Sequence, residues 1–258
     1  MHLLINYLLI GIALFSLIKS DKTEIDLIIT IGDSGSDDGV DYFRNDFHGF
    51  REYSDGRVYS YYMGQMLGVN QLNFAYGGAL SGLGNYFFDT PDTGLAWQTQ
   101  VVVKQRSLNK NKTLVIYQSS GANDLSQGKI GLDGIIENHR QNVETLLSYG
   151  FQNILLIDIG DTSICPWFNT DHGSSYREIT AATFRQLNER FIPEIVEPLH
   201  EKFPEAIIVL VHSSEHAKLI FEALPNNTVA YSRSLTEAIE DRPKFAFFDE
   251  FHPTSAAH

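Results

Sequence analysis

Short, unbroken apolar runs alternate with amphipathic stretches along most of the chain, and this alternation limits the possible folds more than any other feature. Strands buried on both faces read as continuous runs rich in Val, Ile and Leu, because neither face meets water. Ile25 to Ile31, Thr113 to Gln118, Asn153 to Ile159 and Ala206 to Val211 are such runs. Leu72 to Ala75 predicts a shorter strand, and Phe245 to Phe248 is a further apolar run near the end. Between them, Val58, Tyr62 and Met66 share one face of a predicted helix that Gly68 ends. Leu132, Ile135, Ile136, His139, Val143, Leu146 and Leu147 recur at helical spacing up to Gly150. Another helical stretch starts near Ile179 and is interrupted near Pro193 and Pro198. Strands alternating with helices predict an α/β fold, a single three-layer α/β/α domain with a mostly parallel sheet. The 258 residues suffice for one core. Ligands of such sheets sit beyond the carboxyl ends of the strands, so the chemistry is expected just after the apolar runs.

Charge and cysteine content narrow the function. With 32 acidic against 19 basic residues, the formal charge is −13, which repels nucleic acid and anionic lipid surfaces. Cys165 is the one cysteine, so the chain has no internal disulfide and no zinc site built on paired cysteines. Leu3 to Ile18 is apolar except at Asn6, Tyr7 and Ser16, and breaks to Lys19-Ser20-Asp21-Lys22. That length is short of the about 20 residues a membrane span needs, so residues 1–20 read as a cleaved secretory signal and 21–258 as the domain. The n-region has only the amino terminus and His2 for positive charge, which leaves an uncleaved anchor as the alternative. Asn111 and Asn226 head N-glycosylation triplets.

Four short blocks carry residues suited to chemistry. Gly32-Asp33-Ser34-Gly35-Ser36-Asp37-Asp38-Gly39 follows the first run and would present Ser34 at a strand end, where free amides at the start of a helix favour a developing anion. Asn73-Phe74-Ala75-Tyr76-Gly77-Gly78-Ala79 has glycines that let a backbone amide approach a substrate. Gly121-Ala122-Asn123-Asp124 places a neutral amide donor, suited to an oxyanion, after the Thr113–Gln118 run. In Asp249-Glu250-Phe251-His252-Pro253, a carboxylate three residues before a histidine can fix its tautomer. Each block also has a plain structural reading, as a tight turn, a helix cap or a surface pair. The G-x-S-x-G elbow of the α/β-hydrolases does not occur in the chain, so that fold loses its main signature.

In their order, the four blocks resemble the SGNH (GDSL) hydrolase family of esterases and lipases, whose pattern runs G-D-S, N-x-A-x-G-G, G-x-N-D and D-x-x-H-P. The resemblance spans the expected domain and implies the flavodoxin-like SGNH fold. It implies Ser34 as nucleophile, His252 as its base and Asp249 as the acid behind the base. It further implies an oxyanion hole from the amide of Ser34, the amide of Gly78, with Gly77 as the alternative, and the side chain of Asn123. No metal and no organic cofactor is implied. Two departures stand out. Gly35 replaces the Leu or Tyr frequent in the family, which is expected to loosen the turn. The chain also stops at Ser255-Ala256-Ala257-His258, where family members usually continue into a last helix, so a less well covered terminus or an incomplete sequence is expected.

The activity this implies is hydrolysis of acyl esters through an acyl-enzyme on Ser34. The wording of Asn73 to Ala79 and of Ser54-Asp55-Gly56-Arg57-Val58 resembles secreted fungal acetylesterases, implying short-chain, acetyl esters, with carbohydrate as one candidate alcohol. Tyr42, Phe43, Phe47, Phe50 and Tyr53 either line a sugar or acyl pocket or belong to the core. A lipase, lysophospholipase or acyltransferase of the same fold is the alternative enzyme, and a non-catalytic binding or effector protein the alternative from another class. The expected partner is a small-molecule, carbohydrate or lipid ester, with no nucleic acid and no stable membrane span. Sequence leaves the oligomeric state open.

Overall fold

The computed structural model describes residues 25–41, 46–47, 53–231 and 243–258. The expected signal segment, and Tyr42, Phe43 and Phe50, lie outside the described residues, as does the side chain of Phe47. Five parallel strands form the central sheet: β1 (Leu27–Ile31), β4 (Asn70–Asn73), β5 (Thr113–Gln118), β6 (Asn153–Ile157) and β7 (Ile207–Val211), in the order β4-β1-β5-β6-β7. Two-residue strands β2 (Val40–Asp41) and β3 (Asp46–Phe47) pair antiparallel outside it. The expected apolar runs are thus the strands, with ends shifted by at most two residues. From β1, one strand in from an edge, the path moves to the edge strand β4, then crosses back over β1 to β5. That reversal separates the connections leaving β1 and β5 to opposite faces and opens a crevice between their carboxyl ends.

One face carries the larger core. Helices α2 (Leu95–Val103), α4 (Leu132–Ser148), α5 (Arg177–Asn188) and α6 (Glu197–Lys202) pack there against Ile29, Val115, Tyr117, Ile154 and Leu156. The seven periodic positions of α4 include its inward face: Ile135, Ile136, His139, Val143, Leu146 and Leu147 are buried, and Gly150 ends the segment with φ of 95°. The break expected near Pro193 is a π-helical turn, Ile192–Val196, between α5 and α6. A proline lacks the N–H that would continue the α-helical ladder, so a wider turn takes its place.

The opposite face is covered by α1 (Tyr59–Leu67), which Gly68 ends in the left-handed conformation, φ of 68°. Its inward face differs from the expected one. Tyr59, Met63 and Leu67 pack on Ile28, Leu114 and Ile116, while Met66 is 84% exposed and Tyr62 39%. Val58 is buried but precedes the helix as its N-cap, so it does not set the helical phase. At the C-terminal edge, the short α3 (Ala122–Gln127) follows β5 and α7 (Ser213–Ala223) follows β7. Parallel strands β8 (Asn226–Ala230) and β9 (Phe245–Phe247) form a separate pair, on which Phe221 of α7 packs at 4.5 Å from Phe247. Among the described residues, no helix is long and apolar enough to cross a membrane. Asn111 is exposed in a 3-10 turn and Asn226 is half-buried at the start of β8.

The phase of α1 is open to a direct test. Leu67→Ala removes apolar contact from the second face and should destabilise the protein by about 1–3 kcal/mol, whereas Met66→Ala should stay within about 0.5 kcal/mol. Urea denaturation of both variants measures the difference; equal losses would restore the face through Met66.

Candidate active site

The four blocks meet in the crevice between β1 and β5. Ser34 sits in a tight turn directly after β1, where the amides of Ser36 and Asp37 both donate to the Asp33 carbonyl at 3.0 Å. No helix begins there, so the expected helix N-terminus does not contribute. Gly35 does not loosen this turn. Its amide donates to Asp33 Oδ1 at 3.1 Å, and a Cβ at position 35 would lie 2.7 Å from Gln118 Nε2. The glycine makes room for the Gln118 amide, which donates to Asp33 Oδ1 at 3.3 Å.

His252 reaches Ser34 from the far end of the chain, with Nε2 2.9 Å from Ser34 Oγ. Its Nδ1 lies 2.7 Å from Asp249 Oδ2 and 2.9 Å from Oδ1. A carboxylate only accepts, so Nδ1 carries the proton and Nε2 is left as acceptor for the Ser34 hydroxyl. Asp249 also accepts the amides of Phe251 (2.8 Å) and His252 (2.7 Å), which closes the loop on itself. Burial pushes the Asp249 carboxyl up, but the hydrogen bonds and charge of His252 and these two amides outweigh it and hold it below its ordinary value. The loop is pinned from outside too. The Phe248 amide donates to the His252 carbonyl (2.8 Å), and the Ser255 amide to Asp55 Oδ1 (2.6 Å).

The Asn73–Ala79 block extends the β1–β4 pairing: the Phe74 amide donates to the Thr30 carbonyl (2.8 Å) and Tyr76 to Gly32 (3.2 Å). This carries the glycine pair to Ser34. The Gly77 amide is taken by Asp37 Oδ2 at 2.6 Å, whereas among the described residues the amides of Gly78 and Ser34 have no acceptor. Gly78, not Gly77, therefore has the N–H to offer a ligand. Its φ is 76°, and a Cβ there would lie 2.5 Å from the Phe87 ring and 2.6 Å from Asn85 Oδ1. Gly77 is needed for space: a Cβ would meet the Tyr53 ring at 2.1 Å, and that ring packs 5.0 Å from His252. Asn123, in the first turn of α3, donates one Nδ2 hydrogen to the Ala79 carbonyl at 3.0 Å and keeps a second.

A cavity of about 920 Å³ opens over these groups. Ser34, Gly78, Asn123 and His252 line it, and so do Tyr53, Tyr86 and Phe87. Its further walls are largely apolar, from Ile159, Ile164, Trp167 and Phe168, from Tyr176, Ile179 and Phe184 around α5, and from Ile220 and Phe221 on α7. Trp167 stacks on Phe251 at 5.8 Å, so an aromatic wall runs outward from His252. No local sequence pattern marks these walls, nor Gln98 of α2. Gln98 is fully buried, accepts from the Gly32 amide and donates to the Gly32 carbonyl, both at 2.9 Å, and so fixes the residue that leads into the turn. A lone glutamine 66 positions from its partner gives no local signal.

Two outcomes follow from this geometry. Gly78→Ala should lower kcat by roughly 10²–10³ and lower Tm as well, because a Cβ at this positive φ strains the turn that carries the free amide; a folded, fully active variant would remove Gly78 from the site. The second concerns acid stability. Because the folded Asp249 value is depressed, its contribution is fully present above the unfolded value of about 3.9 and is lost as pH falls through the lowered one. The Tm gap between wild type and Asp249→Asn should therefore be widest above about pH 4 and narrow below it. A gap independent of pH would show that the carboxylate is not held this way.

The chain is 25% identical to the secreted effector protein SseJ of Salmonella typhimurium over 91% of its own length, and spans 61% of that protein. A lipolytic protein of the G-D-S-L family from Veillonella parvula shares the fold, with TM-score 0.51 and 14% identity over 90% of this chain and 91% of that one. A mutant of Axe2, an acetyl-xylooligosaccharide esterase from Geobacillus, superimposes with TM-score 0.53 and 14% identity, covering 93% and 91%. The family described as GDSL-like lipase/acylhydrolase matches residues 28–258, so this chain belongs to that family.

Proposed function

We propose that Ser34, His252 and Asp249 act as nucleophile, base and orienting acid of a serine esterase. The 2.9 Å contact between His252 Nε2 and Ser34 Oγ, with Nδ1 held by Asp249, is the observation that carries this reading. His252 Nε2 takes the hydroxyl proton as Ser34 Oγ attacks the ester carbonyl carbon. The carbonyl oxygen becomes an oxyanion bound by the amides of Ser34 and Gly78 and the second N–H of Asn123. His252 returns the proton to the leaving alcohol, and the acyl group stays on Ser34. Water then attacks, giving its proton to His252, and the carboxylic acid leaves as Ser34 regains its hydrogen.

The acyl group we assign to this site is longer than acetyl. Sequence wording favours acetyl esters, but the two segments behind that resemblance serve other ends here. Asp55 and the Arg57 carbonyl tie down Ser255, and Gly77 makes room for Tyr53. Chain length is set by the depth of the pocket and the polarity of its walls, and a 920 Å³ cavity with predominantly apolar walls suits an alkyl chain. Secretion remains part of the proposal on the strength of residues 1–20 alone.

Ser34→Ala should lower turnover by a thousandfold or more, on the order seen when one member of a triad is lost, and should abolish labelling by a serine-directed phosphonate. Retained turnover in the purified variant would end the assignment. On p-nitrophenyl esters, kcat/KM should rise from acetate through butyrate to octanoate. Each buried methylene is worth about 0.8 kcal/mol, or roughly fourfold at most per carbon. A maximum at acetate would return the reading to an acetylesterase while leaving the triad in place.

A further inference from the structure

Behind the site, α4 inserts a histidine into the larger apolar core. His139 is fully buried and packs 5.9 Å from the ring of Phe191, and four of the inward residues of α4 around it, Ile135, Ile136, Val143 and Leu146, are aliphatic. An imidazole there costs stability unless both nitrogens are bonded, and both are. Nε2 lies 2.6 Å from the Ser120 carbonyl, and Nδ1 lies 3.0 Å from Tyr117 Oη. A carbonyl only accepts, so Nε2 carries the hydrogen, Nδ1 accepts, and Tyr117 donates to it. Tyr117 Oη in turn accepts from Asn142 Nδ2 at 2.9 Å, one turn along α4. Every direction in the chain is therefore set by the neutral Nε2–H tautomer, and burial supports neutrality by pulling the imidazole down to about 4.

The far end of this chain is the oxyanion region. Ser120 opens the turn that leads to Asn123. Ser120 Oγ donates to the Ala79 carbonyl at 2.7 Å, the same oxygen that accepts from Asn123 Nδ2 at 3.0 Å, one residue after Gly78. A second arm ends beside it. Asn142 Nδ2 also donates to the Ser81 carbonyl (2.9 Å), and the Ser81 amide and hydroxyl donate to Asp124 at 2.9 and 2.8 Å. Both halves of the proposed hole, the glycine turn and the asparagine turn, are thus fastened to α4 through its two buried polar residues. His139 does not line the cavity.

We propose that His139 is a positioning residue for this reaction: through Ser120 and Tyr117 it holds the β5–α3 turn so that Asn123 meets the oxyanion. The proposal rests on the oxyanion role of Asn123. A histidine that served packing alone would be replaceable by an apolar ring at no cost to turnover. A positioning histidine acts on kcat, because the hole is engaged most strongly in the transition state.

A double-mutant cycle with Asn123→Ala tests this on purified protein. His139→Phe keeps an aromatic ring, a larger one, and removes both hydrogen bonds. With wild-type Asn123, kcat should fall roughly tenfold and KM should stay within about twofold. In the Asn123→Ala background, the same substitution should leave kcat unchanged, since the group it positions is gone. His139→Gln, which keeps an N–H to offer the Ser120 carbonyl, should recover most of the loss. Equal factors in both backgrounds, or full kcat in folded His139→Phe, would overturn the positioning role while sparing the oxyanion reading. Normal kcat in Asn123→Ala would overturn both. If His139→Phe does not fold, Tyr117→Phe deletes a single oxygen from the same chain. It should show the same non-additivity with Asn123→Ala, and additive losses there would equally refute the proposal.

Discussion

The parallel pairing of β1 with β5, from Leu27 opposite Thr113 to Ile31 opposite Tyr117, is the contact on which the site depends. These strands are neighbours in space but 82 positions apart in sequence, and the connections that leave them cover opposite faces. At their carboxyl ends the two backbones must part, and the space between them is closed by neither. Ser34 enters it from β1 and Asn123 from β5. The β4 segment, extending its own pairing with β1 as far as Tyr76, brings Gly78 to the same place. A serine, an asparagine side chain and a glycine amide from three distant segments converge because one topological reversal puts three strand ends side by side.

Beyond the strand ends there is little regular secondary structure to satisfy the backbone, and carboxylates do this work instead. Asp33 accepts the Gly35 amide, Asp37 those of Gly39 and Gly77, and Asp124 that of Ser81. Asp158 accepts from Ser213, Asp161 from Ser163, Asp249 from Phe251 and His252, and Asp55 from Ser255. Part of the acidic excess is thus structural, concentrated where turns must hold a fixed shape. Burial raises the carboxyls of Asp33, Asp124 and Asp158, Asp124 to about 6, and the donated hydrogen bonds only partly offset that desolvation. Rigid turns are obtained at some expense in stability near neutral pH.

How far the sequence disclosed this follows from the range of each signal. Strand runs are local and doubly buried, so Thr113–Gln118 was legible to the residue, and the four blocks were legible because their chemistry sits directly after the runs. The phase of α1 was misread because Val58, though buried, belongs to the cap rather than the helix. The choice between Gly77 and Gly78 depended on Asp37 occupying one amide, and the meaning of Gly35 on the Gln118 amide filling its place. Both are contacts between segments 40 or more positions apart, which no local pattern encodes. His139 was recognised only as one member of the inward stripe of α4. Nothing in the spacing distinguishes a buried imidazole that fills volume from one that holds a turn.

Charge within the site is arranged as a separation. In the proposed transition state a proton has moved to His252 and negative charge has moved to the carbonyl oxygen. Carboxylates lie on the imidazole side: Asp249 is bonded to Nδ1, and Asp33 is near enough to feel the histidine charge. On the oxyanion side the three proposed donors, two amides and one carboxamide, are neutral. A cationic donor there would bind the product carboxylate strongly and slow its release, whereas neutral dipoles favour the oxyanion chiefly while it exists. Neutral donors have one weakness, which is that their contribution falls steeply when they are misaligned. A hole built from them therefore needs a rigid frame. The buried chain from Asn142 through Tyr117 and His139 to Ser120 supplies that frame from inside the core, where water cannot compete for its bonds.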